Sequence, residues 1–212
     1  LIESGFILTM TGNGVGPIEE GFVAVNDGKI AAVGRSEKLK DLVTQAEIRI
    51  NAKGKAVLPG LVDAHIHTSL SLFRGEAQDV PEKEWMIKSV APFTRHMSEE
   101  HATKGSALSV LEAMKAGTTL FGDFGPFMDA IVREVYSRLG VRAHVCNSIN
   151  EIGSMINCDL DSLYEFDPCV GETKLKENLR LIDNWHGSLG GRITCCLGPQ
   201  AADMMSRDLL IR

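Results

Sequence analysis

The sequence predicts an α/β fold in which parallel βα units follow a β-only segment. Three observations carry this. Residues 1–55 hold short apolar runs split by turn residues. From residue 56 on, four continuous apolar runs alternate with helical stretches. Each of those stretches closes on a glycine, the residue that most easily ends a helix. Strands that are apolar on both faces and separated by helices make parallel βαβ units.

In the first segment Phe6-Ile7-Leu8, Gly21 to Val25 and Lys29 to Val33 read as strands, with turns at Asn13-Gly14 and Gly34. Asn26-Asp27-Gly28 is the clearest hairpin signal, since these residues tolerate positive φ. Glu47 to Ile50 alternates polar and apolar residues, as a half-exposed strand would. The later strands are Ala56 to His65, Thr118 to Asp123, Ala143 to Ser148 and Arg192 to Gly198. Between them lie three predicted helices. The first opens at Ser98, an N-cap residue, and closes at Ala116-Gly117. The second spans Pro126 to Leu139 and the third Glu172 to His186. The chain starts inside a strand-like stretch and ends on what reads as the first turns of a helix, so a piece of a longer chain is expected.

A net charge of -6 with interspersed signs offers no basic stripe for nucleic acid and no basic amphipathic helix for a membrane surface. No apolar run approaches the ~20 residues of a membrane span, and the N-terminus lacks the pattern of a signal peptide. Cys146, Cys158, Cys169, Cys195 and Cys196 form no CxxC, so buried reduced thiols and a cytoplasmic location are expected.

Chemistry concentrates in Pro59-Gly60-Leu61-Val62-Asp63-Ala64-His65-Ile66-His67. His65 and His67 stand at i and i+2 at the end of an apolar strand, so both imidazoles can face one side at the mouth of a parallel sheet. Neutral imidazole is a good ligand for zinc, iron or nickel, although a catalytic zinc takes three protein ligands or more.

The stretch Val57 to His67 resembles the first-strand signature of the amidohydrolase superfamily. Leu72-Phe73-Arg74-Gly75, Trp85, Ala113 to Thr119 and Phe121-Gly122-Asp123 are similar to the branch of chlorohydrolases, guanine and cytosine deaminases, and methylthioadenosine/S-adenosylhomocysteine deaminases. The resemblance implies a (β/α)8 TIM-type barrel, of which residues 56–212 would form the first four βα units. Residues 1–55 would belong to a small β-sandwich. It implies one divalent metal, zinc or iron, with His65 and His67 as its first two ligands. Metal-activated water would then deaminate or dechlorinate a small N-heterocycle. It implies a homo-oligomer. The family's later ligands (a His each on strands five and six, an Asp on strand eight) and its proton-moving Glu have no counterpart within residues 1–212, so no catalytic base is expected here.

Two residues stand at substrate-contacting positions of the branch, and a third, Trp85, follows a loop that could lie over the mouth. Gln200, in Gly198-Pro199-Gln200, stands where the branch often has a His. Thr94, in Ala91-Pro92-Phe93-Thr94, stands where adenosine-type deaminases place an acid for the ribose. Both departures weigh against a nucleoside. Trp85 reads either as a wall for a flat heterocycle or as a packed helix residue. Asp123 reads as a pocket residue or a helix cap, His144 as a satisfied interior residue, and His96, His101 and His186 as surface residues. Cyclic-amide hydrolysis is a second reading, disfavoured by the lack of a Lys on the fourth strand. A third is a non-catalytic fragment, whose open half-barrel would leave the first and fourth strands as apolar edges prone to association.

Overall fold

The computed structural model describes residues 1–36, 44–76, 78–153, 159, 161 and 164–212. It divides into two units, Leu1–Gly60 and Leu61–Arg212. Cys158 lies outside the described residues.

In the first unit β1 (Ile2–Leu8) pairs antiparallel with β2 (Pro17–Asn26), which pairs antiparallel with β3 (Lys29–Arg35). Asp27 and Gly28 take φ of 49° and 72° and close the expected hairpin. Two short strands, β4 (Ile50–Asn51) and β5 (Ala56–Val57), run parallel to β1. The expected strand over Glu47 to Ile50 is reduced to its last residue and Asn51. The expected strand over residues 56–65 is two strands. Ala56–Val57 bonds to β1, and β6 (Leu61–Ile66) begins a different sheet after the interruption at Pro59-Gly60. Proline has no N–H to continue a ladder.

The second unit holds a parallel sheet in the order β10-β8-β7-β6, with β7 (Thr118–Phe124), β8 (Arg142–Cys146) and β10 (Ile193–Cys195). Beyond it, β9 (Ser148–Ile149) and β11 (Gly198–Pro199) pair separately, so the third and fourth expected strands each break once before their ends. Phe121, Ala143, Val145, Ile193 and Cys195 form one face, packed on Ala102, Val110, Met128, Ile131, Val132, Val135, Tyr136 and Leu181. On the other face His144 is exposed, with Nδ1 2.8 Å from Thr194 Oγ1; the expected interior histidine is a surface one here.

The helix Glu99–Lys115 has the expected N-cap: Ser98 accepts from the His101 N–H, and the His101 ring answers the Ser98 N–H. The helix expected from Pro126 starts at Met128, because Phe127 sits in the left-handed region at φ 62°. It passes through a π-turn, Val132–Tyr136, and ends at Leu139 before Gly140. The third helix starts earlier than Glu172: Pro168–Trp185 is capped by Asp167, whose side chain accepts from the Cys169 N–H. Asp-Pro is a cap followed by the favoured first residue, a stronger start signal than Glu172. Cys146 and Cys195 are buried as expected, whereas Cys169, in the first turn of this helix, is exposed. No helix among the described residues is long and apolar enough to cross a membrane.

Candidate metal centre

A bulge in β6 places the two histidines. Asp63 pairs with Phe121 and Ile66 with Asp123, so β6 advances three residues while β7 advances two. The extra residue shifts the parity of the strand. Ile66 packs against the helix-covered core, and His65 and His67 flank it on the other side. Gly122 permits this: a Cβ there would meet the Ala64 carbonyl oxygen at 2.5 Å.

The two imidazoles come together. Their ring centres are 5.3 Å apart, and both rings stand edge-on to Phe124, at 4.3 Å for His65 and 4.4 Å for His67. His65 is exposed and His67 half-buried. His67 Nδ1 lies 2.8 Å from the Phe124 carbonyl oxygen. A carbonyl only accepts, so Nδ1 carries the proton and Nε2 keeps the lone pair. That tautomer is the one a ligand histidine adopts when its second nitrogen is tied to the backbone. The 5.3 Å separation also suits one ion bound about 2.0–2.1 Å from a nitrogen of each ring. The pair therefore fits a divalent metal as two of its ligands. Among the described residues no group of three His, Cys, Asp or Glu gathers that could complete the shell.

Asp123 does not cap the helix that follows β7, which starts at Met128 with no side-chain cap. It is 1% exposed and accepts from the Thr68 N–H at 3.1 Å, the Thr68 hydroxyl at 2.5 Å and the Tyr136 hydroxyl at 2.7 Å. The Ser106 hydroxyl lies 2.8 Å from Thr68 Oγ1. Burial pushes the Asp123 carboxyl above its ordinary range, while the Thr68 and Tyr136 hydrogen bonds and the nearby His67 pull the other way. Burial, with the facing Asp123 charge, holds Tyr136 well above its usual value. Neither Thr68 nor the pairing of Asp123 with it stood out in the sequence, since nothing local links residues so far apart.

Gln200 joins a polar cluster at the ends of β9 and β11. Lys174 Nζ donates to Asn150 Oδ1 at 2.6 Å, and the Ile152 N–H donates to the same oxygen at 2.9 Å. Two donor-only groups fix the Asn150 amide, so its Nδ2 faces Gln200 Oε1 at 2.5 Å. Gln200 is left with its NH2 to offer. Burial lowers the Lys174 ammonium from its usual value, and Glu177 opposes that. Thr94 is half-buried, and its hydroxyl donates to the Val90 carbonyl at 2.8 Å, which leaves its lone pairs free to accept. Trp85 packs with Met86, Ile152, Met204, Tyr164 and Ala201, the last adjacent to Gln200. His96, His101 and His186 are exposed, as expected.

With this site in place, the comparisons define the class. The chain belongs to the amidohydrolase family, whose profile matches residues 56–211. It is 33% identical over 212 residues to a 5'-deoxyadenosine deaminase of Methanosarcina acetivorans, covering 100% of this chain and 44% of that protein. It is 31% identical over 212 residues to a 5-methylthioadenosine/S-adenosylhomocysteine deaminase of Moorella thermoacetica, covering 100% of this chain and 45% of that one. In fold it is similar to the solved atrazine chlorohydrolase of Arthrobacter aurescens TC1 complexed with zinc, with a TM-score of 0.75 and 21% identity over 98% of this chain and 48% of the other. The expected branch of deaminases and chlorohydrolases is therefore borne out. The chain spans less than half the length of these curated relatives.

Proposed function

We propose that this chain contributes the first metal-binding half of an aminohydrolase, with His65 and His67 as ligands to one divalent metal, zinc before iron. The observation that carries this is the His67 Nδ1 contact to Phe124, which leaves the lone pair on Nε2 of a ring centred 5.3 Å from that of His65. When bound, the metal supplies a water acidified enough to act as hydroxide near neutral pH. His65 and His67 would hold the ion, and the Phe124 ring packs against both imidazoles. The remaining ligands and the proton-moving group would lie outside residues 1–212. So would the strands that close the four-stranded sheet into an eight-stranded barrel and complete the sandwich begun by residues 1–55.

The proposed substrate is a purine nucleoside lacking the 5'-hydroxyl or bearing a thioether there, the class named for the two deaminases above. Thr94 departs from the acid of the branch, yet its unspent lone pairs can accept from a ribose hydroxyl, as an acid would. Gln200 would donate its NH2 to a substrate acceptor, and Trp85 would wall the ring. A cytoplasmic homo-oligomer is the proposed state; the free thiols Cys146, Cys169, Cys195 and Cys196 fit a reducing compartment.

The test is elemental analysis of the longest natural protein that contains this chain, beside its His65→Ala/His67→Ala variant. About one equivalent of zinc or iron, lost in the variant, is the expected result. Ammonia release from 5'-deoxyadenosine and methylthioadenosine should follow the metal. Equal metal content in both proteins would sink the ligand assignment.

A further inference from the structure

We infer that Asp123 is a positioning residue for the histidine pair, acting through Thr68 on the turn that presents His67. The inference rests on the metal reading above and deepens it. Asp123 and Phe124 are consecutive at the end of β7, and together they grip His67 from two directions. Phe124 takes the ring's Nδ1 proton through its carbonyl. Asp123 takes the backbone N–H and the hydroxyl of Thr68, the residue immediately after His67. The backbone of His67 is at φ -116° and ψ 78°, between strand and helix, and the 3-10 turn Thr68–Phe73 begins next to it. A carboxylate is a fixed double acceptor, so it sets where the Thr68 N–H points and with it the peptide plane that joins His67 to Thr68.

The burial of this group calls for a reason. A carboxyl that is 1% exposed loses its hydration and persists only where donors replace the lost water. Two of its three donors come from Thr68 and one from Tyr136. Were Asp123 only a core-filling polar group, both hydroxyls would matter equally to the site. As a positioning residue, it makes the Thr68 bond matter to the metal and the Tyr136 bond matter to the fold. The Ser106 contact adds to the Thr68 side, since it holds the same hydroxyl in place.

The experiment uses the longest natural protein containing this chain, with Co2+ as a spectroscopic probe and zinc affinity measured by chelator competition. Thr68→Val keeps the shape and removes the hydroxyl; it should weaken zinc about 10-fold or more and alter the visible Co2+ band. Thr68→Ser restores the hydroxyl and should return affinity and band to those of the unsubstituted protein. Tyr136→Phe, which removes the other hydroxyl donating to this carboxylate, should lower thermal stability and leave the Co2+ band in place. Asp123→Asn offers a second route if Thr68→Val does not fold, and it should also shift the band. Full affinity and an unshifted band in both Thr68→Val and Asp123→Asn, or equal losses in Thr68→Val and Tyr136→Phe, would overturn the role of Asp123. No metal in the unsubstituted protein would instead overturn the metal reading itself.

Discussion

Two thiols in the second unit resist ionisation. Burial pushes Cys146 up to about 12, with Cys196 adding to it, and Cys195 up to about 11, again with help from Cys196. The folded thiol then holds its proton at a pH where the unfolded one, near its ordinary 9.0, releases it. The stability this contributes is fully present below pH 9.0 and is lost as pH rises toward 12. Urea midpoints of the protein should therefore fall between pH 9.0 and 11 more steeply than those of Cys146→Ala. Parallel slopes would show that this thiol does not set the alkaline limit. At this scale His65 and His67 were legible, because two residues on one strand face one way and the pattern is local. The work of Asp123 was not. Its partner Thr68 is 55 residues away in sequence, and only the pairing of β6 with β7 brings them together.

Among elements, the order of strands and helices was readable because apolar runs and helical periodicity alternate cleanly after residue 56. Boundaries were harder to read where one residue outweighed the pattern. Pro59-Gly60 split one strand, left-handed Phe127 delayed a helix, and the Asp167-Pro168 start preceded the glutamate taken as its beginning. The bulge in β6 was not legible at all, since it shows only in the register against β7. It rests on Gly122. Gly122→Ala sets a methyl against backbone that cannot swing aside, 2.5 Å from the Ala64 oxygen. We expect a cost of about 1–3 kcal/mol in urea unfolding together with reduced metal uptake. A stability loss with undiminished metal uptake would separate the bulge from the site.

Over the whole second unit, one face of the parallel sheet is covered by helices, and β6 and β10 stand at its two edges. On β6, Leu61 and Val62 are 51% and 61% exposed. An apolar edge strand is a template for pairing with another chain. Residues 1–212 produced alone should accordingly associate as concentration rises, read by light scattering, and Val62→Lys should shift that onset to higher concentration. An unchanged onset would place the contact elsewhere.

The Gly122 contact also bears on inheritance. Gln200, Thr94 and Trp85, the proposed substrate contacts, offer side chains that a lineage can exchange when its substrate changes. Position 122 has no such freedom. Any side chain there presses on the backbone that turns His65 to the front, whatever molecule the protein has come to act on. Descendants of this protein should diverge at the proposed substrate contacts long before they surrender this glycine.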